Sequence, residues 1–259
     1  MSATVAPPER AIRPEEVLIE TVRRLLSGAR HVAVGANSPI PAAAAFLAQR
    51  LSGGLPLVSL QQSPAHNLFT DGGRELFDAA GQGRIDVFFF SGAEIDGEGN
   101  INLVAVGDYA HPRVRFPGSY GSAFLYFAVP RIILFRTEHS RRTLVERVAF
   151  VSAPGTSPPG VWRRGGPVAL VTPLCQFAFD ASRRRFRLAS VHPGHSVEEV
   201  RDNTGFAFDI TGDVPATPLP DAATLDHLRH AVARELATIY PKFAATVFGV
   251  VREAMDIPT

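Results

Sequence analysis

The sequence predicts an α/β fold with an open, mostly parallel sheet and helices on both faces. Strand-like and helix-like segments alternate through the first third of the chain, as parallel strands joined by crossover helices require. Most strand-like segments are continuous apolar runs, which is typical of strands covered on both faces. With 259 residues, 46% of them hydrophobic, the chain can bury such a core.

The first elements follow from local signals. Pro14 suits the first turn of a helix, the acidic pair Glu15 and Glu16 suits the positive end of the helix dipole, and Gly28 favours a stop. The remaining elements of this half are predicted as strands at 31–35, 55–60 and 85–90 and helices at 41–51 and 74–80.

Local signals also predict the elements of the second half of the chain. Ser196 with Glu199 three residues later predicts a capped helix over residues 196–203. A proline-rich linker over 211–220 then leads to an amphipathic helix over 221–236. Apolar runs predict further strands at 131–135, 148–152, 168–171, 177–179 and 186–191.

Composition excludes several classes of function. The formal net charge of +1 gives no sign of nucleic-acid or membrane-surface binding. No apolar run reaches membrane-spanning length, and residues 1–13 lack the apolar segment of a signal peptide. We therefore predict a disordered lead-in over residues 1–13, a single domain over 14–259 and a cytoplasmic location.

Cysteine and histidine positions argue against a metal centre. The single Cys175 lies in an apolar run, which predicts a buried thiol and excludes an internal disulfide. The histidine pairs 192/195 and 227/230 have no third ligand at motif spacing, so no metal is expected. The turn at 35–39 matches neither a P-loop nor a dinucleotide fingerprint, so neither nucleoside triphosphate nor NAD is expected.

The most informative segment follows the strand at 85–90. Residues 92–102, 107–112 and 115–121 are dense in Gly, Asp, Asn and Pro. A loop of this composition is costly to order and is usually functional.

These segments resemble the β-subunit signature of family I coenzyme A transferases, especially the glutaconate type. In that family an Ile/Val-Asp-x-x-Gly-Asn-x-Asn segment precedes Gly-Asp-Tyr-x-His-Pro and Arg-Phe-x-Gly-x-x-Gly. Residues 151–155 and 192–206 resemble two later family motifs, in the same order.

The resemblance implies the open α/β fold of the glucosamine-phosphate isomerase, ribose-phosphate isomerase and CoA-transferase kind. It also implies an acyl-CoA thioester substrate, no bound cofactor, and a homologous α-like partner in an α2β2 or similar assembly. The active site would then lie at the interface of the two chains.

The resemblance assigns roles to two groups of residues. One is the loop that corresponds to the family's Gly-Gly-Ala loop, whose backbone N–H groups face the thioester carbonyl or CoA. The alternative is that these residues form a tight loop without contacting the substrate. The loop residues are Gly118, Ser119, Tyr120, Gly121, Ser122 and Ala123, with Tyr120 in place of the family's usual glycine. The other group, the signature loop, comprises Asp96, Gly99, Asn100, Asn102, Asp108, His111 and Arg115.

For the signature residues we weigh structure against chemistry. Asp96, Asn100 and Asn102 are expected to close the loop by side-chain to backbone hydrogen bonds. His111 is expected to order a turn, with general-base chemistry as the alternative. Arg115, or arginines among Arg113 and residues 136–142, would pair with CoA phosphates or a substrate carboxylate, the alternative being surface ion pairs.

The sequence departs from the family at the nucleophile. The family's glutamate follows the second strand, where this chain has Leu60 or Gln61, depending on the register. Neither is a carboxylate, so the glutamyl-CoA route is in doubt. Glu94, Glu98 or the partner chain would have to supply an acid, with Glu94 the better candidate in this chain.

Three functions remain open. One is a β-like subunit of a CoA-transferring enzyme, with a dicarboxylic acid as the expected acyl group. A second is hydrolytic carbon–carbon cleavage or decarboxylation of a CoA thioester, and residues 192–194 resemble a steroid-degrading branch. The third is a non-catalytic subunit that completes a partner's active site.

Overall fold

The structure, a computed structural model, describes residues 11–251. Most of the expected lead-in therefore lies outside the described residues, and the single domain stays a prediction. The helices are α1 Pro14–Arg24, α2 Pro39–Leu51, α3 Gly72–Gly81, α4 Ser122–Ala128, α5 Val197–Asn203, α6 Ala222–His227, α7 Ala233–Ile239 and α8 Pro241–Phe248. The strands are β1 His31–Val34, β2 Leu57–Leu60, β3 Val87–Phe90, β4 Glu94–Ile95, β5 Ile101–Asn102, β6 Ala105–Val106, β7 Val114–Arg115, β8 Arg131–Phe135, β9 Pro167–Val171, β10 Cys175–Asp180 and β11 Arg185–Val191.

One seven-stranded sheet organises the chain, in the order β11-β10-β9-β8-β3-β1-β2. The strands from β2 to β9 in this order pair in parallel, and β10 and β11 add an antiparallel edge. Strands β4 to β7 form two small two-stranded sheets beside it. The predicted open, mostly parallel α/β architecture is confirmed.

Both faces of the sheet are covered, which explains the continuous apolar runs. In β1, Val32 and Val34 pack into one core, whereas Ala33 between them packs into the other. The first core also holds side chains of α1, α2, α7 and α8, and the second holds side chains of α3, α4 and α5. A strand with a helix layer on each face has no solvent-facing positions for polar residues.

The register brings five strand ends to one edge of the sheet. Val34 pairs with Leu60, Phe90 with Leu134, and Phe135 with Val171. The loops that leave the carboxyl ends of β1, β2, β3, β8 and β9 therefore meet at this edge. Open α/β sheets bind their ligands at such an edge.

Two predicted elements need correction. Residues 148–152 do not form a strand, because the N–H groups of Val148 and Ala149 donate to the carboxylates of Asp96 and Glu94 instead of to a neighbouring strand. The last predicted helix continues beyond residue 236 to Ile239 and is interrupted by a π-helical turn, Leu228–Val232. None of the helices in residues 11–251 is long and apolar enough to cross a membrane.

The capped start of α5 yields the first testable prediction. Ser196 Oγ accepts a hydrogen bond of 3.1 Å from the Glu199 N–H, as the sequence predicts. We expect Ser196→Ala to lower the free energy of unfolding by about 1 kcal/mol, since a helix N–H loses its partner. Chemical denaturation would measure this, with Ser196→Asp as the control that keeps the cap. Equal stability of the alanine and aspartate variants would contradict the prediction.

Candidate active site

A small cavity of about 250 Å³ lies at the carboxyl edge of the sheet. We call it the edge cavity. Its floor is apolar, formed by residues such as Phe89, Phe90 and Phe135, and its polar lining consists of Asn37, Ser38, Ser91 and Thr137. The lining includes no carboxylate, imidazole or thiol. The edge cavity can therefore donate and accept hydrogen bonds, but it presents no strong nucleophile.

The two candidates for the nucleophile position differ sharply in accessibility. Leu60, the last residue of β2, is 0% exposed and packs in the core. Gln61 follows it at the edge, where its N–H donates to the Val34 carbonyl over 3.1 Å and its side chain is partly exposed beside Gly35. Of these two residues, Gln61 is the one that offers a functional group to a ligand.

The loop 118–123, for which the sequence predicts oxyanion donors, has an unusual backbone conformation. Gly118, Tyr120 and Gly121 all have positive φ angles, of 114°, 41° and 67°. For Tyr120 this conformation is strained, and strain of this kind is concentrated at functional sites. Within residues 11–251 the N–H groups of Tyr120 and Gly121 form no hydrogen bond. Fixed, unpaired N–H groups of this kind suit a developing negative charge.

Contacts with α3 hold this loop at the start of α4. The Tyr120 ring lies 5.7 Å from the Phe77 ring, and the Ser122 N–H donates to the Ser119 carbonyl over 2.8 Å. Ala123 is exposed, whereas Ser122 is fully buried and its hydroxyl has no hydrogen-bond partner. The exposed N–H groups of the loop are thus better placed for a ligand than the Ser122 hydroxyl.

Asp96 organises the first half of the signature loop. Its carboxylate accepts hydrogen bonds from the N–H groups of Glu98 and Asn100, from the Asn100 side chain and from the Val148 N–H, at 3.0 to 3.4 Å. Burial raises the pKa of Asp96, although these hydrogen bonds favour the ionised form. The predicted loop-closing role of Asp96 agrees with these contacts.

Neighbouring residues complete this loop. Asn100 accepts from the Gly155 N–H over 3.0 Å, and the buried Tyr126 hydroxyl donates to the Gly99 carbonyl over 2.6 Å. Asn102 donates to Glu94 and to the Ala105 carbonyl. Glu94 is 7% exposed, and the carboxylate oxygen that meets Asn102 also accepts from the Ala149 N–H at 2.8 Å. Glu94 therefore helps to hold the loop, and it does not line the edge cavity.

The second half of the signature loop is an exposed hairpin between β6 and β7. Asp108 accepts from the N–H groups of Ala110 and His111, at 2.7 and 3.4 Å. Arg115 lies 4.7 Å over the Tyr109 ring and donates to the Tyr109 carbonyl. His111 is exposed and joins the turn through its backbone N–H, and among the described residues its ring forms no hydrogen bond.

A buried polar network lies beyond the carboxyl end of β9, and sequence patterns did not indicate it. The two ring nitrogens of His139 lie 2.7 Å from the Thr172 hydroxyl and 2.9 Å from the Thr204 hydroxyl. Burial lowers the pKa of His139 to about 4. Cys175 beside it is fully buried, as predicted, and burial raises its pKa to about 12. A thiol of this kind is a poor nucleophile at neutral pH.

His192 extends this network. Its Nε2 lies 3.0 Å from the Thr172 carbonyl, which can only accept, so Nε2 carries the proton. Its Nδ1 then accepts from the Thr217 hydroxyl, at 2.8 Å, and Thr217 meets Ser190 at 2.7 Å. Burial lowers the pKa of His192 to about 4, so the neutral ring is the native form.

Two further histidines form ion pairs of their own. His195 pairs with Glu199, and His230 pairs with Asp226 on the same helix. Among residues 11–251 no group of three His, Cys, Asp or Glu side chains is arranged to hold a metal ion.

Residues 58–203 match the family model described as Coenzyme A transferase. The chain belongs to the coenzyme A transferase family. It is 36% identical over 161 residues to the B subunit of 3-oxoadipate CoA-transferase from Pseudomonas knackmussii, covering 60% of this chain and 62% of that protein. It is 34% identical over 153 residues to the B subunit of glutaconate CoA-transferase from Acidaminococcus fermentans, covering 56% of each. The match thus spans about three fifths of the length of these relatives.

Solved structures agree with this assignment. Glutaconate CoA-transferase of Acidaminococcus fermentans superposes with a TM-score of 0.75 at 25% identity, covering 88% of this chain and 97% of that one. The decarboxylase AibA/AibB superposes with a TM-score of 0.73 at 28% identity, covering 93% and 100%. The predicted family and fold are both confirmed, and the fold family includes a decarboxylase.

Proposed function

We propose that this chain is the β-like subunit of a two-chain enzyme that acts on an acyl-CoA thioester without a carboxylate nucleophile of its own. Family membership supports the first part of the proposal, as do the names of the two relatives, each of which denotes one subunit of a CoA-transferase. The composite name AibA/AibB of the decarboxylase also fits an assembly with an α-like partner.

One observation carries the second part. At the end of β2 the position of the expected glutamate holds the buried Leu60 and the amide of Gln61. The edge cavity has no carboxylate in its lining, and Glu94 is engaged by Asn102 and the Ala149 N–H. Attack on a thioester to form an acyl–glutamyl anhydride needs an accessible carboxylate. Neither residue at the end of β2 nor the lining of the edge cavity supplies one.

Decarboxylation is chemistry that such a site can support. The bond to the departing carboxyl group breaks, its electron pair enters the thioester as an enolate, CO₂ leaves and a proton completes the product. The enolate oxygen needs fixed hydrogen-bond donors, and the free N–H groups of Tyr120 and Gly121 are such donors. Hydrolytic carbon–carbon cleavage, in which water is the nucleophile, also needs fixed hydrogen-bond donors at the enolate oxygen.

CoA transfer remains the second candidate, because the two sequence relatives are named CoA-transferases. In that case the partner chain supplies the nucleophile, and this chain completes the partner's site. The two candidates differ in products and in where a covalent intermediate forms.

The test uses the chain co-expressed with an α-like partner and purified as a complex. The complex is incubated with glutaconyl-CoA and acetate, and products are followed by mass spectrometry together with the intact mass of each chain. We expect loss of CO₂, or a released acid, without acetyl-CoA and without any CoA adduct on this chain. Acetyl-CoA together with an adduct on this chain would overturn the proposal, and an adduct on the partner alone would favour the second candidate.

A substitution at the edge sharpens the distinction. We expect Gln61→Glu to place a carboxylate where a thioester can reach it, so that this chain gains the mass of CoA less water after incubation with acyl-CoA. Intact-mass spectrometry would detect the adduct. Gln61→Ala, which removes the amide without adding an acid, is the matched control. Absence of an adduct in a complex that still binds the thioester would show that Gln61 does not face the reacting carbonyl.

A further inference from the structure

The edge cavity lies where the order of strands in the sheet reverses. The chain runs from β1 to β2 on one side, and it then crosses to β3 on the other side of β1. In open α/β sheets a crevice forms at such a switch point, outside the carboxyl ends of the two diverging strands, and ligands bind there. Residues 37–41 after β1 and residues 89–91 at the end of β3 line the edge cavity. Its place in the fold is therefore that of a ligand-binding cavity.

The end of β2, where the proposed function places the thioester, is tied to this cavity. The side-chain oxygen of Gln62 accepts a hydrogen bond of 2.7 Å from the N–H of Asn37, which lines the cavity. The side chain of Gln61 lies beside Gly35, two residues before Asn37. An acyl group whose carbonyl lies at Gln61 can therefore extend into the edge cavity.

Aromatic contacts hold the apolar walls of the cavity in place. The Phe90 ring packs edge-on against the Tyr126 ring, with 5.7 Å between their centres. On the opposite side the Phe243 ring of α8 packs in the same way against Phe248, at 6.1 Å. Phe90 and Phe243 are half-buried, and both line the cavity. The cavity is thus largely formed before a ligand arrives, as small-molecule sites usually are.

The lining carries no charged group that could compensate an ion inside the cavity. Its polar side chains are the neutral Asn37, Ser38, Ser91 and Thr137. The Ser38 hydroxyl already donates to the Ala36 carbonyl at 3.1 Å. Arg136 reaches the Ser91 hydroxyl at 3.4 Å but does not line the cavity. A carboxylate that left water for this cavity would find no cation, which is costly, whereas a hydrocarbon group gains free energy by the same transfer.

The volume of the cavity sets the size of this hydrocarbon group. An engineered apolar cavity of about 150 Å³ binds benzene, and the edge cavity has about 250 Å³. We propose that the edge cavity binds a ring-sized hydrocarbon unit of the acyl group, such as a six-membered ring. Any carboxyl group of the substrate, including one that departs as CO₂, then lies outside this cavity. The inference rests on the proposed function for the thioester end, whereas the apolar site itself rests on the lining.

The test measures the binding of three thioesters to the two-chain complex by calorimetry. They are acetyl-CoA, cyclohexanecarbonyl-CoA and the CoA monothioester of cyclohexane-1,4-dicarboxylic acid, which adds a carboxylate to the same ring. We expect cyclohexanecarbonyl-CoA to bind roughly a hundredfold more tightly than acetyl-CoA, because its additional methylene groups leave water. The carboxylate on the ring should weaken binding by about tenfold or more, since it loses water without meeting a cation.

A substitution in the wall of the cavity checks where the ring binds. Thr137 is exposed and lines the edge cavity, so Thr137→Phe should fill part of its volume and remove most of the preference for the ring over acetyl-CoA. Thr238→Phe, at an exposed position of α7 that does not line the cavity, is the matched control and should keep the preference. Thermal unfolding of each variant verifies that it is folded.

The proposal is overturned by equal affinities for acetyl-CoA and the ring thioester, by equal or tighter binding of the carboxylated ring, or by a preference that Thr137→Phe leaves intact. If none of the thioesters binds, the proposed function fails, and NMR titration with cyclohexanone, a neutral ring probe, still decides. Cyclohexanone binding that Thr137→Phe abolishes and Thr238→Phe retains supports the apolar site. No binding to the unsubstituted complex, or binding that Thr137→Phe leaves unchanged, overturns it.

Discussion

Replacement of Asp96 by alanine is expected to lower the free energy of unfolding by about 3 kcal/mol or more. The buried carboxylate accepts four hydrogen bonds, three of them from the backbone N–H groups of Glu98, Asn100 and Val148. In the alanine variant these donors lose a charged acceptor, and leaving such groups unpaired costs more than the hydrogen bonds themselves contribute. Chemical denaturation of the purified protein would measure the change.

Asp108 provides the matched control. Its carboxylate also accepts hydrogen bonds from N–H groups two and three residues ahead. Asp108 lies in an exposed turn, however, so water can take over these hydrogen bonds when the carboxylate is removed. Asp108→Ala should therefore cost less than about 1 kcal/mol. Asp96→Asn keeps one acceptor oxygen and should fall between the two alanine variants. Equal stabilities of Asp96→Ala and Asp108→Ala would mean that the signature loop does not depend on its buried carboxylate.

Acidification from pH 7 to pH 5 is expected to lower the free energy of unfolding. His192 should contribute about 2 kcal/mol of this loss, and His139, which is partly open to solvent, should contribute less. The pKa of each ring is about 4 in the folded protein, below the value near 6.5 of an unfolded chain. As the pH falls, these imidazole rings therefore take up protons in the unfolded state before they do so in the folded state. The stabilisation is fully present above the unfolded pKa and is lost as the pH falls towards the folded pKa.

Substitution separates this effect from general acid sensitivity. Glu199 raises the pKa of His139 and His195 lowers it, but burial has the largest influence. His192→Asn should flatten the dependence of unfolding free energy on pH between 7 and 5, because the titrating ring is gone. His230→Asn, at an exposed helix position, should leave the slope unchanged. A slope unaffected by His192→Asn would place the acid-sensitive group elsewhere.

The sequence was most informative where interactions are local. Ser196 caps a helix through a residue three positions ahead, and Asp96 closes a loop through residues two and four positions ahead. Chain connectivity keeps such partners close in any fold that the segment adopts, so spacing and residue type suffice to predict them. The continuous apolar strands were predictable for a related reason, because burial on both faces requires an apolar residue at every position of a strand.

The arrangement of distant segments was decided only by tertiary structure. His139 meets Thr172 and Thr204, which follow separate elements of the chain. The strand predicted at 148–152 is absent because carboxylates some fifty residues earlier bind the N–H groups of Val148 and Ala149. Arg113 and Arg141 share a cavity in the same way. The sequence by itself determined the fold class, the family signature and the local loops. Strand order and register decided which loops meet at the edge, because contacts between segments far apart in the chain depend on how the sheet assembles and leave no spacing pattern in a single sequence.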